Sequence, residues 1–343
     1  IMLKNNNLFI NSNDFASFTD LIYSDRKKYE NTQLEEDIEI IELIKDPQFN
    51  CVTYKKLIFQ IKEGDTVFCN TNQIDNLFFH LKKSKKLNNI TLVTHQTDKL
   101  ITESVFRKKP KCIKKWFSVN VDYKNNSLIP IPIGIASDFS LKNLTSSDFS
   151  NLNEKNYYKD EINMYINFQT NTNYRERRNL YNQFREEPWV NFDDPNLDKN
   201  VYLEKLRSSS FVLCPWGNGI DTHRFWETLY SGSIPITKKH QTYNCADKLP
   251  VLFVEDYKEI NFDLLKNFMN NLDSNNFNYE LLTKSYWNEI INNTETNLQS
   301  ELFEEKKYET FLFKQKRNIV RILNYFFKRI KTFINKIIRK LNL

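Results

Sequence analysis

Glycine and alanine are the shortages. The 343 residues contain five glycines and only Ala16, Ala136 and Ala246, where average glycine usage of roughly 7% would give about 24. Asn, Lys, Ile, Phe and Tyr are abundant, as A+T-rich codon usage would produce. A glycine retained against that drift marks a position where the backbone needs it. The five are Gly64, Gly134, Gly217, Gly219 and Gly232. So few glycines exclude a G-x-G-x-x-G dinucleotide fingerprint, a phosphate-binding P-loop and any Gly/Ser linker. Long apolar runs are also missing: mean hydropathy is −0.61, and no stretch approaches the length of a membrane-spanning helix. The five cysteines are odd in number and form no C-x-x-C pair, which predicts reduced thiols rather than a disulfide framework or a zinc site. Residues 1–13 show no basic region followed by an apolar run, so no secretory signal is expected. Together these features predict a cytoplasmic protein.

What is present is length, patterning and a divided charge. A chain of this length predicts two domains. Strand-like runs at 65–70, 89–94, 114–120 and 128–134 alternate with helix-like runs at 75–87 and 101–106. Segments 37–44 and 54–61 fit either helix or strand. The polar stretch 137–158 reads as a linker. A second alternation follows, with strands at 163–168, 211–214, 234–236 and 251–254, helices at 175–185 and 222–231, and helical pattern from 262 to 313. Such alternation argues for parallel sheets covered on both faces. Net charge is +6, yet residues 314–343 carry ten basic and no acidic residues. The body is therefore mildly acidic and the tail strongly basic.

Segment 211–236 carries the chemistry. A strand ending at Cys214 meets Pro215, and Gly217, Asn218 and Gly219 form a loop that a ligand can approach closely. A helix follows, capped by Asp221 or Thr222. Ligands of parallel sheets bind outside the carboxyl ends of the strands, and helix N-termini favour phosphate. His223, Arg224 and Glu227 occupy the first turns of that helix. Arginine forks onto phosphate, and a carboxylate accepts from ribose hydroxyls. A second cluster of cations, Arg175, Arg177 and Arg178, opens the helix at 175–185.

The run from Gly217 to Ile236 resembles the donor-binding segment of exostosin-like glycosyltransferases. Segments 116–122, 129–134 and 167–177 support the same likeness, which covers roughly residues 60 to 255. The resemblance implies an α/β protein of the GT-B fold, two Rossmann-like domains facing across a cleft. The expected division is an acceptor-side domain over 1–145, a donor domain over 155–275, a helical return over 276–313 and a basic amphipathic tail over 314–343. The resemblance also implies a nucleoside-diphosphate sugar held by Gly217, Asn218, Gly219, Asp221, His223, Arg224 and Glu227. Arg177 would lie near the diphosphate. It implies no obligatory metal and no cofactor beyond the donor substrate, because helix dipole and basic side chains stabilise the leaving diphosphate. Eight positions after Glu227 stands Pro235, where many retaining enzymes carry a second glutamate, which leans towards inversion.

An inverting transfer needs a base for the acceptor hydroxyl. His95 and Asp98 follow the strand at 89–94 and are the candidates, with Asp122 third. The expected activity is transfer of a sugar to a hydroxyl of a glycan or lipid-linked glycan. A fucosyltransferase-type enzyme and a non-catalytic glycan- or membrane-binding protein are the alternatives. In the tail, Ile319, Ile322, Leu323, Phe326 and Ile330 recur at helical spacing between basic residues. This predicts a helix lying on an anionic membrane surface and no nucleic-acid partner.

Overall fold

A computed structural model describes residues 9–30, 37–150, 161–272, 275–292 and 300–306, together with scattered positions between 308 and 330. Two sheets organise it. The first is assembled from β1 (Leu21–Lys28), β2 (Ile38–Lys45), β3 (Asn50–Lys56), β5 (Thr66–Asn70), β6 (Ile90–His95), β8 (Ile113–Ser118) and β10 (Leu128–Pro130), in the order β10-β8-β6-β5-β1-β3-β2. Its β10-β8-β6-β5-β1 portion is parallel, and β3 and β2 extend it antiparallel. The short strands β7 (Ile101–Thr102) and β9 (Val121–Asp122) pair beside it, and β4 (Ile58–Lys62) leaves it for a later partner. The second sheet is wholly parallel and holds β11 (Met164–Ile166), β12 (Val190–Phe192), β13 (Phe211–Leu213), β14 (Ile234–Lys238) and β15 (Leu252–Val254), in the order β12-β11-β13-β14-β15.

Every residue of β5, β6 and β13 is buried, as strands covered on both faces require. Their continuous apolar or threonine-rich runs are what made them legible. Helices α1 (Ser12–Ser17), α2 (Ile74–Leu81) and α3 (Glu103–Phe106) accompany the first sheet. In the second half lie α4 (Ser146–Ser150), α5 (Tyr174–Phe184), α6 (Lys199–Ser208), α7 (His223–Tyr230), α8 (Phe262–Asn270) and α9 (Lys284–Asn292).

Several expectations are corrected. The ambiguous stretches 37–44 and 54–61 are extended, in β2, β3 and β4. The helix expected to run to 87 ends at Leu81. Segment 101–106 begins as the strand β7 before α3. The stretch from 137, expected as a linker, is packed over its described part: Phe139, Leu144 and Phe149 are buried, and Phe149 stacks on Phe9 with ring centroids 5.2 Å apart. Its residues 151–160 lie outside the described residues. The helical pattern expected up to 313 is interrupted by β16 (Ser300–Glu304), which returns to pair antiparallel with β4. Gln60 and Leu302 are partners there, a pairing across more than two hundred residues that no local pattern announces.

One hydrophobic cluster runs through both sheets, from Phe15, Phe117 and Ile133 to Val212, Trp226 and Tyr243. Polar bonds complete the seam. Ile10 N–H donates to the Tyr230 hydroxyl (3.1 Å), which donates to Leu282 O (2.9 Å). Gly134 has φ +67° and lies so close to Ile10 that a Cβ would stand 2.1 Å from its carbonyl oxygen. Only glycine allows that contact.

The described positions between 308 and 330 are helical, and Phe311, Leu312, Ile319, Ile322, Phe326 and Phe327 are exposed. Residues 331–343 of the expected tail helix lie outside the described residues. Among the described residues, no helix is long and apolar enough to cross a membrane.

Candidate functional site

A cleft of about 1090 Å³ opens between the carboxyl ends of the two sheets. From the first half it is lined by Arg26, the 95–99 loop and Ile133; from the second, by Asn167, Arg177 and the segment Gly217 to Glu227. All ten residues expected to bind donor or carry the base border this cleft. They come from the segments that leave β6, β11 and β13, where parallel sheets place their ligands.

Thr222 occupies the N-cap of α7, but its side chain does not cap the helix. Its hydroxyl is buried with no hydrogen-bond partner, and so is Nε of Arg224 two residues further on. Among the described residues, no carboxylate lies within ion-pairing distance of Arg224. An uncapped helix start with an unpaired guanidinium is a local surplus of positive charge, and it suits an anion with several acceptor oxygens.

Glu227 lies one turn beyond Thr222 and His223. It is buried, and its Oε2 accepts from the Tyr202 hydroxyl at 3.0 Å. Burial pushes its pKa up, against the pull of His223, Arg224 and the Tyr202 bond. His223 Nδ1 meets Gly134 O at 2.8 Å. A carbonyl can only accept, so Nδ1 carries the proton and Nε2 is left for the cleft.

Asp221 is placed differently from a ligand contact. Its Oδ1 accepts from Thr222 N (2.9 Å) and Trp226 Nε1 (2.9 Å), and Oδ2 accepts from Ile133 N (2.8 Å). Burial pushes its pKa up to about 7, partly offset by these donors. It ties the glycine loop to the first half of the chain. Arg177 is similarly committed. Nε donates to Trp216 O (2.9 Å), Nη2 to Pro215 O (2.8 Å), and Nη1 to Gln169 O (2.9 Å) and Thr172 Oγ1 (2.5 Å). Four of its five N–H groups thus hold the two loops of the second sheet. Gly217 lets that happen, since a Cβ there would stand 3.1 Å from Arg177 Nη2. Asn218 is exposed on the loop, while Gly219 is buried against Asn120.

The two base candidates separate. His95 is buried; its Nδ1 accepts from Gln96 N (2.7 Å), and its Nε2 donates to Pro132 O (3.1 Å). Both nitrogens are used, and burial lowers its pKa to about 3. No lone pair remains for a substrate. Asp98 stands exposed in the cleft. The surrounding wall raises its pKa by desolvation, with His223 and Arg26 pulling it back. Asp122, the third candidate, pairs with His240 Nε2 at 3.2 Å.

Two residues escaped the sequence reading. Tyr202, on α6, holds Glu227. Gln96 adopts φ +74°, a conformation rarely taken by a glutamine. Its side-chain amide donates to Asp25 and to Arg26 O, and its Oε1 accepts from Arg26 N (2.8 Å). Backbone strain held by surrounding bonds, two residues before Asp98, is the kind of feature that clusters at functional sites. Neither residue lies in a motif; a glutamine directly after a strand that ends in histidine was the only available signal.

No curated protein matches the chain. The family model described as the RXYLT1 C-terminal domain matches residues 168–339, which take in α5, the glycine loop and α7. That match spans half of the chain and contains the uncapped start of α7, and the chain belongs to this glycosyltransferase family.

Proposed function

We propose that the protein transfers a sugar from a nucleoside diphosphate to a hydroxyl of a glycan or lipid-linked glycan, with inversion. The observation that carries this reading is the unpartnered pair Thr222 Oγ1 and Arg224 Nε at the uncapped start of α7, on the floor of the cleft between the two sheets. Two such sheets, one per half, are what a GT-B enzyme needs. The diphosphate lies on the α7 start, where Arg224 and the loop N–H groups meet its growing charge without calling on a metal. Glu227, steadied by Tyr202, accepts from the donor's ribose. Asp98 takes the acceptor's proton as the hydroxyl oxygen attacks the anomeric carbon from the opposite face. Inversion is supported by Pro235, which stands eight positions after Glu227, where many retaining enzymes carry a second glutamate. Arg177 acts indirectly, by holding loop 215–217 in shape.

A thermal-shift screen against UDP-, GDP-, CMP- and dTDP-sugars tests the reading. The family's designation as a xylosyltransferase puts a nucleoside-diphosphate xylose first in the panel. A donor at a hundredfold over its Kd adds about 2.7 kcal/mol of stability. Glu227→Ala, still folded, should lose that shift and the transfer activity. A shift won by GDP-fucose would favour the fucosyltransferase alternative, and no shift with any donor would favour a glycan-binding protein.

We also propose that the tail docks on an anionic membrane surface from the cytoplasmic side. The exposed Ile319, Ile322, Leu323, Phe326 and Phe327, in a stretch with ten basic and no acidic residues from 314 on, support it. The intact chain should float with phosphatidylglycerol vesicles at low salt, and a chain ending at 307 should not. Equal flotation of the two would reject the docking.

A further inference from the structure

Asn120 is fully buried between β8 and β9 and adopts φ +53°. Asparagine is among the few residues that take this conformation at modest cost. Its side chain reaches in two directions. Oδ1 accepts from Ile220 N and Asp221 N, both at 2.9 Å, in the loop that enters α7. Nδ2 donates to Thr97 O at 3.3 Å, in the loop that carries Asp98. The Asn120 carbonyl accepts from Ile101 N at 3.0 Å. One residue therefore grips the Asp98 loop on both sides of Asp98 and, with its amide oxygen, grips the donor loop. Gly219 fits this contact, because a Cβ there would stand 2.9 Å from Asn120 Oδ1.

We propose that Asn120 is a positioning residue that sets the spacing between the two loops facing each other across the cleft. It rests on the transferase reading for its effect on rate, though not for its effect on the loops. The chemistry makes the spacing matter. The acceptor oxygen must sit roughly 3–3.5 Å from the carbon it attacks and within hydrogen-bond reach of the base. The base and the loop that would hold the donor belong to different halves of the chain, and Asn120 bridges those halves. A side-chain amide is required, since two N–H groups need an acceptor and one carbonyl needs a donor. Aspartate supplies only the acceptor. Glycine takes the backbone angle and supplies neither.

Hydrogen exchange on the full chain reads the spacing directly. In Asn120→Asp, amides 97–101 should exchange faster while 217–222 keep their protection. In Asn120→Gly, both segments should loosen. For a donor that the wild type turns over, Asn120→Asp should lower kcat about tenfold or more with donor KM nearly unchanged, because misplacement of an ångström costs rate rather than binding. Unchanged exchange at 97–101 in Asn120→Asp, or equal changes in kcat and KM, would overturn the proposal. If aspartate prevents folding, Asn120→Gly decides, and protected loops in that variant would reject it. A wild type that turns over no donor would defeat the transferase reading alone, since the exchange result stands without turnover.

Discussion

Arg177 Nη2 donates to Pro215 O at 2.8 Å, and the same guanidinium reaches Trp216 O and Gln169 O. The bonds run from a fork to three carbonyls, a geometry that an ammonium cannot reproduce. Arg177→Lys is therefore expected to behave like Arg177→Ala. Both should lose about 2 kcal/mol or more of stability, as buried carbonyls are left without donors, and both should weaken nucleotide binding. Urea unfolding and nucleotide titration measure this. A lysine variant with wild-type stability would show that charge, not the fork, is what matters.

Asp98 gives a prediction with a sign. A base must be ionised to act, and the cleft wall raises the pKa of Asp98. Activity should fall as pH drops through that raised value, so the acid limb of kcat/KM lies above the ordinary aspartate value. Asp98→Asn should lower kcat by about 10²–10⁴-fold and leave nucleotide affinity intact. The matching His95→Asn change should act through folding instead, because both His95 nitrogens serve the backbone. An Asp98→Asn enzyme with full turnover would move the base elsewhere, His223 Nε2 being the nearest alternative in the same cleft.

How far the sequence showed all this depends on the range of each interaction. Strands such as Thr66–Asn70 and Phe211–Leu213 are short apolar runs bounded by glycine or proline, and they were readable locally. So was α7, with its glycine-rich entry and Gly232 after its end. β1 was missed because Ser24, Asp25 and Arg26 break its apolar run; Ser24 donates to Tyr54 O on β3, and Asp25 accepts from Gln96 in the loop after β6. At the site, the residues on the glycine loop were found together, since they are neighbours in sequence. What each of them does was not legible. Asp221 looks like a ligand contact until Ile133 N, 88 positions away, is seen to donate to it. Asn120 and Tyr202 act 101 and 25 positions from their partners, and no spacing rule joins them.

Asp221 links the glycine loop to pH. Its partners are all N–H donors, from Ile133, Thr222 and Trp226. Replacing it with asparagine aims an amide at one of those donors and should cost about 1–3 kcal/mol. Because its folded pKa is raised to about 7, the folded chain holds a proton that the unfolded chain releases. That contribution is full below the unfolded value and is lost as pH rises through about 7. Thermal melts from about pH 5 to about pH 8 should therefore show the gap between wild type and Asp221→Asn narrowing. A gap that stays constant across that range would mean that Asp221 stays ionised throughout.

Lys55 fastens the returning strand. It is fully buried on β3, and its Nζ lies 2.8 and 2.6 Å from the two oxygens of Glu305 and 3.3 Å from Glu39 Oε2. His80 Nε2 stands 3.6 Å from the same Glu305. Glu305 directly follows β16, so this cluster secures the chain just before the helical positions at 308–330. Burying such charges is costly, and their mutual attraction repays it only while all partners are present. Lys55→Met leaves Glu39 and Glu305 together without the ammonium and should cost about 3–5 kcal/mol. Lys55→Met combined with Glu305→Leu removes one of the two stranded carboxylates and should recover part of that loss. A double-mutant cycle by urea unfolding, with proteolysis at the 300–306 segment as a local readout, separates the two outcomes. If the single change is nearly neutral, the cluster does not hold the strand, and the β4–β16 backbone pairing alone must do so.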